Sequence, residues 1–239
     1  MQTNFTPERL KDPDVRFAER ILRNCVHCGF CNATCPTYML LGDELDGPRG
    51  RIYLIKGMLE EGKPASPELV KHIDRCLSCL ACTTTCPSGV DYMHLIDQAR
   101  THIDKTYKRP LGERLLRGFL ARVLPRPVLF GALLWPGFIA RPLAPVLRRI
   151  PGLASLAAML ELAPRRRPPK AAFPGPAVHK AQGFRTGRVV VMRGCAQSVL
   201  RPSITDATVR LLSRQGYEVV LAGGEGCCGA LVHHMGRED

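Results

Sequence analysis

Hydrophobic residues in the first hundred positions recur at the spacing of amphipathic helices. Between Gly50 and Gly62, the apolar residues Ile52, Ile55 and Leu59 fall at i, i+3 and i+7 and share one helical face. The same kind of spacing predicts helices at Pro13–Arg23, Pro67–Arg75 and Met93–Ile103. Because no alternating strand pattern interrupts them, we predict that residues 1–105 are mostly α-helical.

Two of these helices carry boundary signals. Asp12 is predicted as an N-cap, since its carboxylate can accept hydrogen bonds from free backbone amides, and Pro13 suits the first helical position. Gly62, with Pro64 beyond it, is a typical helix stop.

The last part of the chain follows a different pattern. A short apolar run at Val189–Met192 predicts a strand, Ile204–Gln215 an amphipathic helix, and Tyr217–Leu221 a second strand. This order implies a right-handed βαβ unit with parallel strands. Two strands and one helix cannot cover both faces of a parallel sheet, so we expect a fragment of a longer protein or a partner that completes the fold.

Charge is concentrated between these two parts. Residues 106–188 hold 16 of the 34 Lys and Arg but only 2 of the 21 Asp and Glu. The hydropathy and charge patterns together predict three domains, at residues 1–105, 106–188 (a basic, Pro- and Leu-rich connector) and 189–239. We expect residues 106–150 to form short, Pro-broken amphipathic helices on a membrane surface or a partner subunit. The alternative is a solvated arginine face packed on the protein's own domains.

The connector is not expected to cross a membrane. Its longest uncharged run, Pro127–Ala140, has 14 residues and contains Pro136, whereas a bilayer core takes about 20. Residues Met1–Phe17 contain no apolar signal-peptide region. We therefore expect a cytoplasmic protein, or one peripheral on the inner face of the cell membrane.

Eight of the 11 cysteines form two runs with identical spacing. Cys25–Pro36 (the first run) and Cys76–Pro87 (the second run) both read C-x2-C-x2-C-x3-C-P. Such runs bind two [4Fe–4S] clusters, the first three cysteines of a run ligating one cluster and the fourth ligating the other. The predicted ligands are Cys25, Cys28, Cys31 and Cys86 for cluster 1, and Cys76, Cys79, Cys82 and Cys35 for cluster 2.

Other interpretations of these cysteines fit less well. Structural zinc sites use C-x2-C pairs but not two x2 gaps followed by an x3 gap and proline. A disulfide framework is disfavoured in a reducing compartment. His27 is predicted to be a bystander, and His72 and His94 to be helix-surface residues. Gly29 and Ala81 either let amides approach sulfur or simply permit tight turns.

Three more cysteines follow the predicted strands. Cys195 comes after the first strand, and Cys227 and Cys228 come after the second, in a glycine-rich segment. Ligands of open α/β sheets bind at the carboxyl ends of the strands. We predict an additional metal or redox site here, with His233 and His234 as weak candidates for its remaining ligand; the alternative is three buried structural cysteines.

Taken together, these motifs resemble a known family. The two CxxCxxCxxxCP runs about 50 residues apart, the segment Gly47–Ile52 between them and the later CCG segment are similar to glycolate oxidase iron–sulfur subunits. Iron–sulfur subunits of glycerol-3-phosphate dehydrogenase, lactate-utilisation complexes and heterodisulfide reductase share the arrangement. The resemblance implies an α + α/β fold: an all-helical two-cluster ferredoxin domain, a helical connector and an incomplete Rossmann-like βαβ cysteine-rich (CCG) domain.

The resemblance also implies a function. A flavin (FAD) on partner glycolate oxidase subunits would oxidise glycolate to glyoxylate, and this chain would pass the electrons to a quinone or similar acceptor. No catalytic residue is predicted here, because no dinucleotide-binding, P-loop or nucleophile motif is found. The alternatives are a lactate or glycerol-3-phosphate dehydrogenase subunit and a thiol–disulfide reductase. Nucleic-acid binding is not expected, since the connector lacks aromatic residues among its basic ones.

Overall fold

The computed structural model describes residues 1–165 and 168–237, and the chain divides into two compact units. The helical unit consists of Met1–Arg114 and a segment that starts at Ala230. The sheet unit consists of Leu115–Gly229. The domain boundaries at residues 105 and 188 stay a prediction.

The helical unit begins with seven α-helices in succession. They are α1 (Pro13–Asn24), α2 (Phe30–Ala33), α3 (Pro36–Leu41), α4 (Pro48–Glu61), α5 (Pro67–Asp74), α6 (Ala81–Thr85) and α7 (Tyr92–Thr106). Short 3-10 helices lie at Arg9–Lys11 and Glu44–Asp46. Residues 1–105, all of which the structure describes, contain no strand, so the prediction of a mostly helical N-terminal part is confirmed.

Helices α1, α4, α5 and α7 enclose the core of the helical unit. The predicted face of α4 points into it, since Ile52, Ile55 and Leu59 are all buried. Completely buried residues come from each helix, among them Leu22, Ile55, Ile73, Leu95 and Ile103. Burying one such aliphatic side chain contributes about 1.5–3 kcal/mol, and this core therefore fixes the frame that carries the cysteines.

The predicted boundary signals are confirmed. The Asp12 carboxylate accepts a hydrogen bond from the Asp14 amide at 2.9 Å, and α4 ends at Gly62. Helix α4 begins two residues earlier than predicted because Pro48 occupies its first position. Gly50 lets this helix start approach the preceding loop, since a Cβ there would lie 2.1 Å from the Glu44 carbonyl oxygen.

The sheet unit combines a set of helices with one small sheet. Its helices are α8 (Leu111–Val123, which begins just before the unit), α9 (Pro127–Ala140), α10 (Ala144–Arg148), α11 (Ala154–Leu162), α12 (Cys195–Leu200) and α13 (Pro202–Arg214), with a 3-10 helix at Arg141–Leu143. Its strands are β1 (Ala177–His179), β2 (Gly187–Val191) and β3 (Tyr217–Leu221), in the order β1-β3-β2. A final helix, α14 (Ala230–His234), belongs to the helical unit.

The predicted parallel strand pair is confirmed. Strand β2 pairs in parallel with β3, from Gly187 opposite Tyr217 to Val191 opposite Leu221. Helix α13 connects them and packs Val209 against Val219 and Leu221. The sequence did not predict β1, which adds to the other edge of β3 in antiparallel orientation.

The prediction of short, Pro-broken amphipathic helices is wrong for the middle of the connector, where the helix is long and unbroken and α9 has no charged residue on any face. Helix α9 continues through Pro136 instead of breaking there, and with the following turn and α10 it forms a helix of 22 residues, Pro127–Arg148. The expectation that the connector does not cross a membrane used the 14-residue uncharged run Pro127–Ala140, and the helix extends beyond that run to Arg148. Its length and composition would allow it to cross a membrane. Helix α8 is amphipathic as predicted.

Candidate metal centres

The two cysteine runs adopt the same local backbone. His27 and Ser78 precede the second cysteine of each run, and both have a positive φ, 57° and 50°. Gly29 and Leu80 follow that cysteine, and both are again left-handed, at 86° and 58°. The short helices α2 and α6 then carry the third cysteine of each run. The duplication in the sequence is therefore also a duplication in structure.

The two runs meet at equivalent residues. Thr34 and Thr85 each precede the fourth cysteine of their run, and their hydroxyl oxygens lie 3.2 Å apart. This contact brings the fourth cysteine of each run towards the partner run.

One cavity lies between the first three cysteines of the first run and the end of the second run. This first cavity is lined by Cys25, Cys28, Cys31, Cys82 and Cys86. The pKa of the Cys31 thiol is raised to about 11, mainly by burial and in part by the nearby Cys25, Cys28 and Cys86. Cys35, the fourth cysteine of the first run, is not among the residues that line this cavity.

A second cavity is built in the reciprocal way. This second cavity is lined by Cys76, Cys79 and Cys82 of the second run together with Cys35 of the first. Burial raises the pKa of Cys82 to about 12, and the neighbouring Cys76, Cys31 and Cys35 add to the effect. The structure therefore brings together the two sets of four cysteines that the sequence analysis grouped.

The donor set of each cavity fits an iron–sulfur cluster. Cysteines from two chain segments line each space, five around the first cavity and four around the second, with Cys82 shared between them. Thiolates are the ligands that such clusters use. All eleven cysteines of the chain are free thiols. Stabilising four clustered thiolates requires a compensating cation, because each thiolate raises the pKa of the others.

Tyr92 separates the two cavities, and the sequence analysis missed it. Its side chain lines both cavities, as do those of Pro48 and Cys82. The Tyr92 hydroxyl donates to Cys76 Sγ at 3.7 Å, and the residue is 4% exposed. Burial raises the pKa of this phenol well above its ordinary value. Its position at the start of the predicted helix Met93–Ile103 gave no signal for this role.

Cys35 has an unusually rich set of hydrogen-bond donors. Burial by itself raises the pKa of its thiol, but hydrogen bonds from the Thr37 hydroxyl and the backbone amides of Tyr38 and Thr37, together with Arg51, lower it overall. The Thr37 oxygen lies 3.2 Å and Arg51 Nη1 3.9 Å from Cys35 Sγ. Cys86, its equivalent, accepts a bond from the Val90 amide at 3.4 Å.

Behind Cys35 lies a buried ion-pair network centred on Asp46. The Asp46 carboxylate contacts His72 Nδ1 at 2.9 Å and Arg75 Nη1 at 2.6 Å, and Arg51 Nη2 lies 3.6 Å away. Although burial raises the pKa of Asp46, the hydrogen bonds from His72 and Arg75 outweigh it and lower the pKa. Because cations already occupy its oxygens, Asp46 belongs to an ion-pair network and not to a cation site.

The prediction for His72 was wrong, and that for His94 is confirmed. His72 is 2% exposed because its ring nitrogen meets the buried Asp46 carboxylate, a partner that helical spacing cannot reveal. His94 is half exposed and bonds Asp91 within its own helix turn. His27 lines the first cavity, and its Nε2 is buried without a hydrogen-bond partner among the described residues; that it is not a ligand stays a prediction.

The third cysteine group lies at the carboxyl ends of β2 and β3. Cys195 Sγ and Cys227 Sγ are 3.9 Å apart, while Cys228 is exposed. Burial and the hydrogen bond to Cys227 raise the pKa of Cys195. Arg193 and Glu225 form an ion pair that joins the two loops. His233 and His234 lie in the helical unit and contact Asp97 at 3.1 and 3.6 Å.

Two family models match the chain at these sites. One is described as a 4Fe-4S dicluster domain and matches residues 21–90; the other is described as a cysteine-rich domain and matches residues 189–239. The chain therefore combines a match to a 4Fe-4S dicluster domain with a match to a cysteine-rich domain. The first match contains both cysteine runs, and the second contains Cys195, Cys227 and Cys228.

Comparison with curated proteins gives the same result. The chain is 46% identical over its full length to the glycolate oxidase iron-sulfur subunit of Escherichia coli (strain K12), covering 54% of that protein. It is 31% identical to the probable glycolate oxidase iron-sulfur subunit of Bacillus subtilis (strain 168), over 98% of this chain and 55% of that one. The predicted resemblance is confirmed, and the chain spans about half the length of these relatives.

A more distant relative shares most of the chain. The chain is 23% identical to one subunit of the dihydromethanophenazine:CoB–CoM heterodisulfide reductase of Methanosarcina acetivorans, over 90% of this chain and 47% of that protein. No solved structure matches.

Proposed function

We propose that the chain is the iron–sulfur electron-transfer subunit of a flavin-dependent glycolate oxidase. The observation that carries the proposal is the pair of adjacent cavities, each lined by cysteines of both runs, in a chain 46% identical to a glycolate oxidase iron-sulfur subunit. A substrate pocket is not needed for this role, since a conduit handles electrons alone.

The crossed lining of the two cavities supports the proposed ligands. Cys25, Cys28, Cys31 and Cys86 would hold one [4Fe–4S] cluster, and Cys76, Cys79, Cys82 and Cys35 the other. Such a cluster supplies one-electron transfer when bound. The chain's own residues orient the sulfurs through the left-handed positions of each run, and the core cluster that includes Ile52 and Val90 limits water beside the first cavity.

Division of labour explains why partners are expected. Oxidation of a 2-hydroxy acid removes two electrons together, which a flavin can accept and an iron–sulfur protein cannot. We propose that FAD-binding glycolate oxidase subunits deliver electrons to this chain singly, and that a quinone or similar acceptor receives them.

Reconstitution tests the conduit directly. The glycolate-reduced flavoprotein should pass electrons to the natural acceptor only when the cluster-loaded chain is added. Unimpaired transfer without this chain would reject the conduit. Faster turnover with lactate or glycerol 3-phosphate than with glycolate would keep the conduit and change the substrate.

The cysteine-rich segment supports a further cofactor. We propose that Cys195, Cys227 and Cys228 contribute to an additional iron–sulfur centre in a Rossmann-like domain, supported by the parallel β2–α13–β3 order and the 3.9 Å sulfur separation. The iron content should then fall when Cys195→Ser and Cys227→Ser are combined, provided that both N-terminal clusters remain. An unchanged iron content would reject this site.

The same cysteine pair favours a second function, thiol–disulfide reduction, because a heterodisulfide reductase subunit is among the relatives. Oxidation of the Cys195 and Cys227 thiols to one disulfide would supply the two electrons and two protons that convert a disulfide substrate into two thiols. Absence of disulfide consumption by the dithionite-reduced protein would eliminate this alternative.

We also propose that the connector contacts a membrane surface from the cytoplasmic side. The uncharged helix α9 has no buried residue, and its exposed side chains include Val128, Trp135 and Ile139. Arginines at 122, 126, 141, 148 and 149 flank it, and such an arrangement suits anionic headgroups. Cosedimentation with anionic vesicles should decrease with salt, because the Debye length shrinks to about 3 Å at 1 M; no binding at low salt would reject the contact.

A further inference from the structure

The start of α4 directs one arginine towards each cavity. Pro48 lines both cavities, and Arg49 lines the first while Arg51 lines the second. These residues belong to the Gly47–Ile52 segment that lies between the two runs in sequence. The two arginines differ in exposure, in partners and in the charge that remains after pairing.

Arg49 is partly exposed and already neutralised. Its side chain is 34% exposed, and its Nε lies 2.5 Å from Glu44 Oε1. The Asn32 amide holds the same carboxylate at 3.0 Å. The Arg49–Glu44 pair therefore places no net charge beside the first cavity, and water screens what remains.

Arg51 is buried and reaches a candidate ligand. Its side chain is 1% exposed, and Nη1 donates to Cys35 Sγ at 3.9 Å. Its other nitrogens are fixed, Nε by the His72 carbonyl oxygen at 2.8 Å and Nη2 by the Thr37 hydroxyl at 3.1 Å. The guanidinium cannot turn away from the sulfur without breaking these bonds.

The surrounding network leaves a positive charge beside the second cavity. Arg51 and Arg75 contribute two positive charges against the single negative charge of Asp46, whereas Arg49 and Glu44 contribute one charge of each sign. Charges act more strongly where water is excluded. A cluster gains one negative charge on reduction, so a buried cation beside its ligand favours the reduced form.

We propose that Arg51 raises the reduction potential of the cluster in the second cavity above that of the cluster in the first. This inference rests on the proposed function, since it requires a cluster in each cavity. With a cluster in each cavity, one electron would pass from the reduced cluster of the first cavity to that of the second, with no proton or bond exchanged. Arg51 is a positioning and charge-setting residue that sets the direction of flow.

Potentiometric titration followed by electron paramagnetic resonance tests this in the whole chain. The unaltered protein should show two midpoint potentials. Arg51→Gln should lower the higher one by at least a tenfold change in the reduction equilibrium, which is 59 mV for a one-electron couple. The control Arg49→Gln should change the reduction equilibrium of either cluster by less than threefold. An unchanged higher potential, or a shift confined to the lower one, would overturn the inference.

A second variant covers the case in which Arg51→Gln loses a cluster. Arg75→Gln alters a side chain that is 41% exposed and removes one positive charge from the same network. It should lower the same potential by an amount that corresponds to a two- to fivefold change in the reduction equilibrium. An unchanged potential would count against the role of Arg51. Iron and sulfide analysis of the unaltered protein separates the two hypotheses. If the unaltered protein does not hold two clusters, the proposed function is rejected. If it holds two clusters and both arginine variants have the same potentials as the unaltered protein, only this inference is rejected.

Discussion

The two cysteine runs have the same spacing and the same left-handed turns, yet their surroundings diverge after the fourth cysteine. Cys35 is followed by α3, and its sulfur lies 3.2 Å from the Thr37 hydroxyl oxygen and 3.9 Å from Arg51 Nη1. Cys86 is followed by a turn at Pro87–Gly89, and its sulfur accepts the Val90 amide. Duplicated ligand geometry therefore does not produce duplicated electrostatics.

Replacing the fourth cysteines should have the largest effect. Cys35→Ser should remove the cluster of the second cavity and Cys86→Ser that of the first, each lowering the iron content by about four atoms per chain. Spectra of the two variants should show reciprocal losses. If each variant instead lost the cluster held by the other three cysteines of its own run, the crossed assignment of the fourth cysteines would be wrong.

Neutralising the buried anion should be the next largest change. Asp46→Asn removes the counter-charge of the buried Arg51 and should lower the free energy of unfolding by about 3–5 kcal/mol. Glu44→Gln, the matched change beside the first cavity, should cost less than about 1 kcal/mol because that pair is exposed. Anaerobic urea unfolding measures both, and equal losses would contradict the distinction between the two sides.

Part of this pattern is readable from sequence and part is not. The x2, x2, x3 spacing predicted both sets of four cysteines, and helical periodicity predicted α1, α4, α5 and α7. Both fourth cysteines precede proline, however, so spacing could not distinguish the helix after Cys35 from the turn after Cys86. The difference comes from the next residues, Thr-Tyr-Met-Leu in one run and Ser-Gly-Val-Asp in the other.

The other misses have physical causes of their own. His72 lies on a short polar helix, and its burial depends on Asp46, 26 residues away. Strand β1 has three residues in a Pro- and Gly-rich segment and is held by pairing with β3, which local sequence does not encode. Helix α9 tolerates Pro136 even though a proline inside a helix removes one backbone hydrogen bond.

A smaller effect should distinguish two glycines of α4, the helix whose start borders both cavities. Gly50→Ala forces a methyl group against the Glu44 backbone and should cost about 1–3 kcal/mol. Gly57→Ala in the same helix meets open space and should stabilise by up to about 1 kcal/mol. Thermal unfolding midpoints of the two variants should move in opposite directions; a shared direction would show that the close approach at Gly50 is unimportant.

The smallest effect concerns the equivalent left-handed residues of the two runs. Gly29→Ala should cost about 1 kcal/mol, because an L residue is strained at this φ of 86° and the Arg49 guanidinium, 2.6 Å from the added Cβ, must shift. Leu80→Gly should change the stability by less than about 1 kcal/mol, since relief of strain offsets the extra freedom of the unfolded chain. Urea midpoints provide the measurement, and a large loss in Leu80→Gly would show that the leucine side chain itself supports the second cavity.

The reciprocal lining of the two cavities has a consequence for the order of assembly. Each cavity needs residues separated by about 50 positions in the chain, so neither is complete until the second run has been synthesised and has docked on the first. Closing so long a loop is entropically costly and slow compared with forming the local helices. Both sets of four cysteines are therefore completed at the same step, when the second run docks on the first.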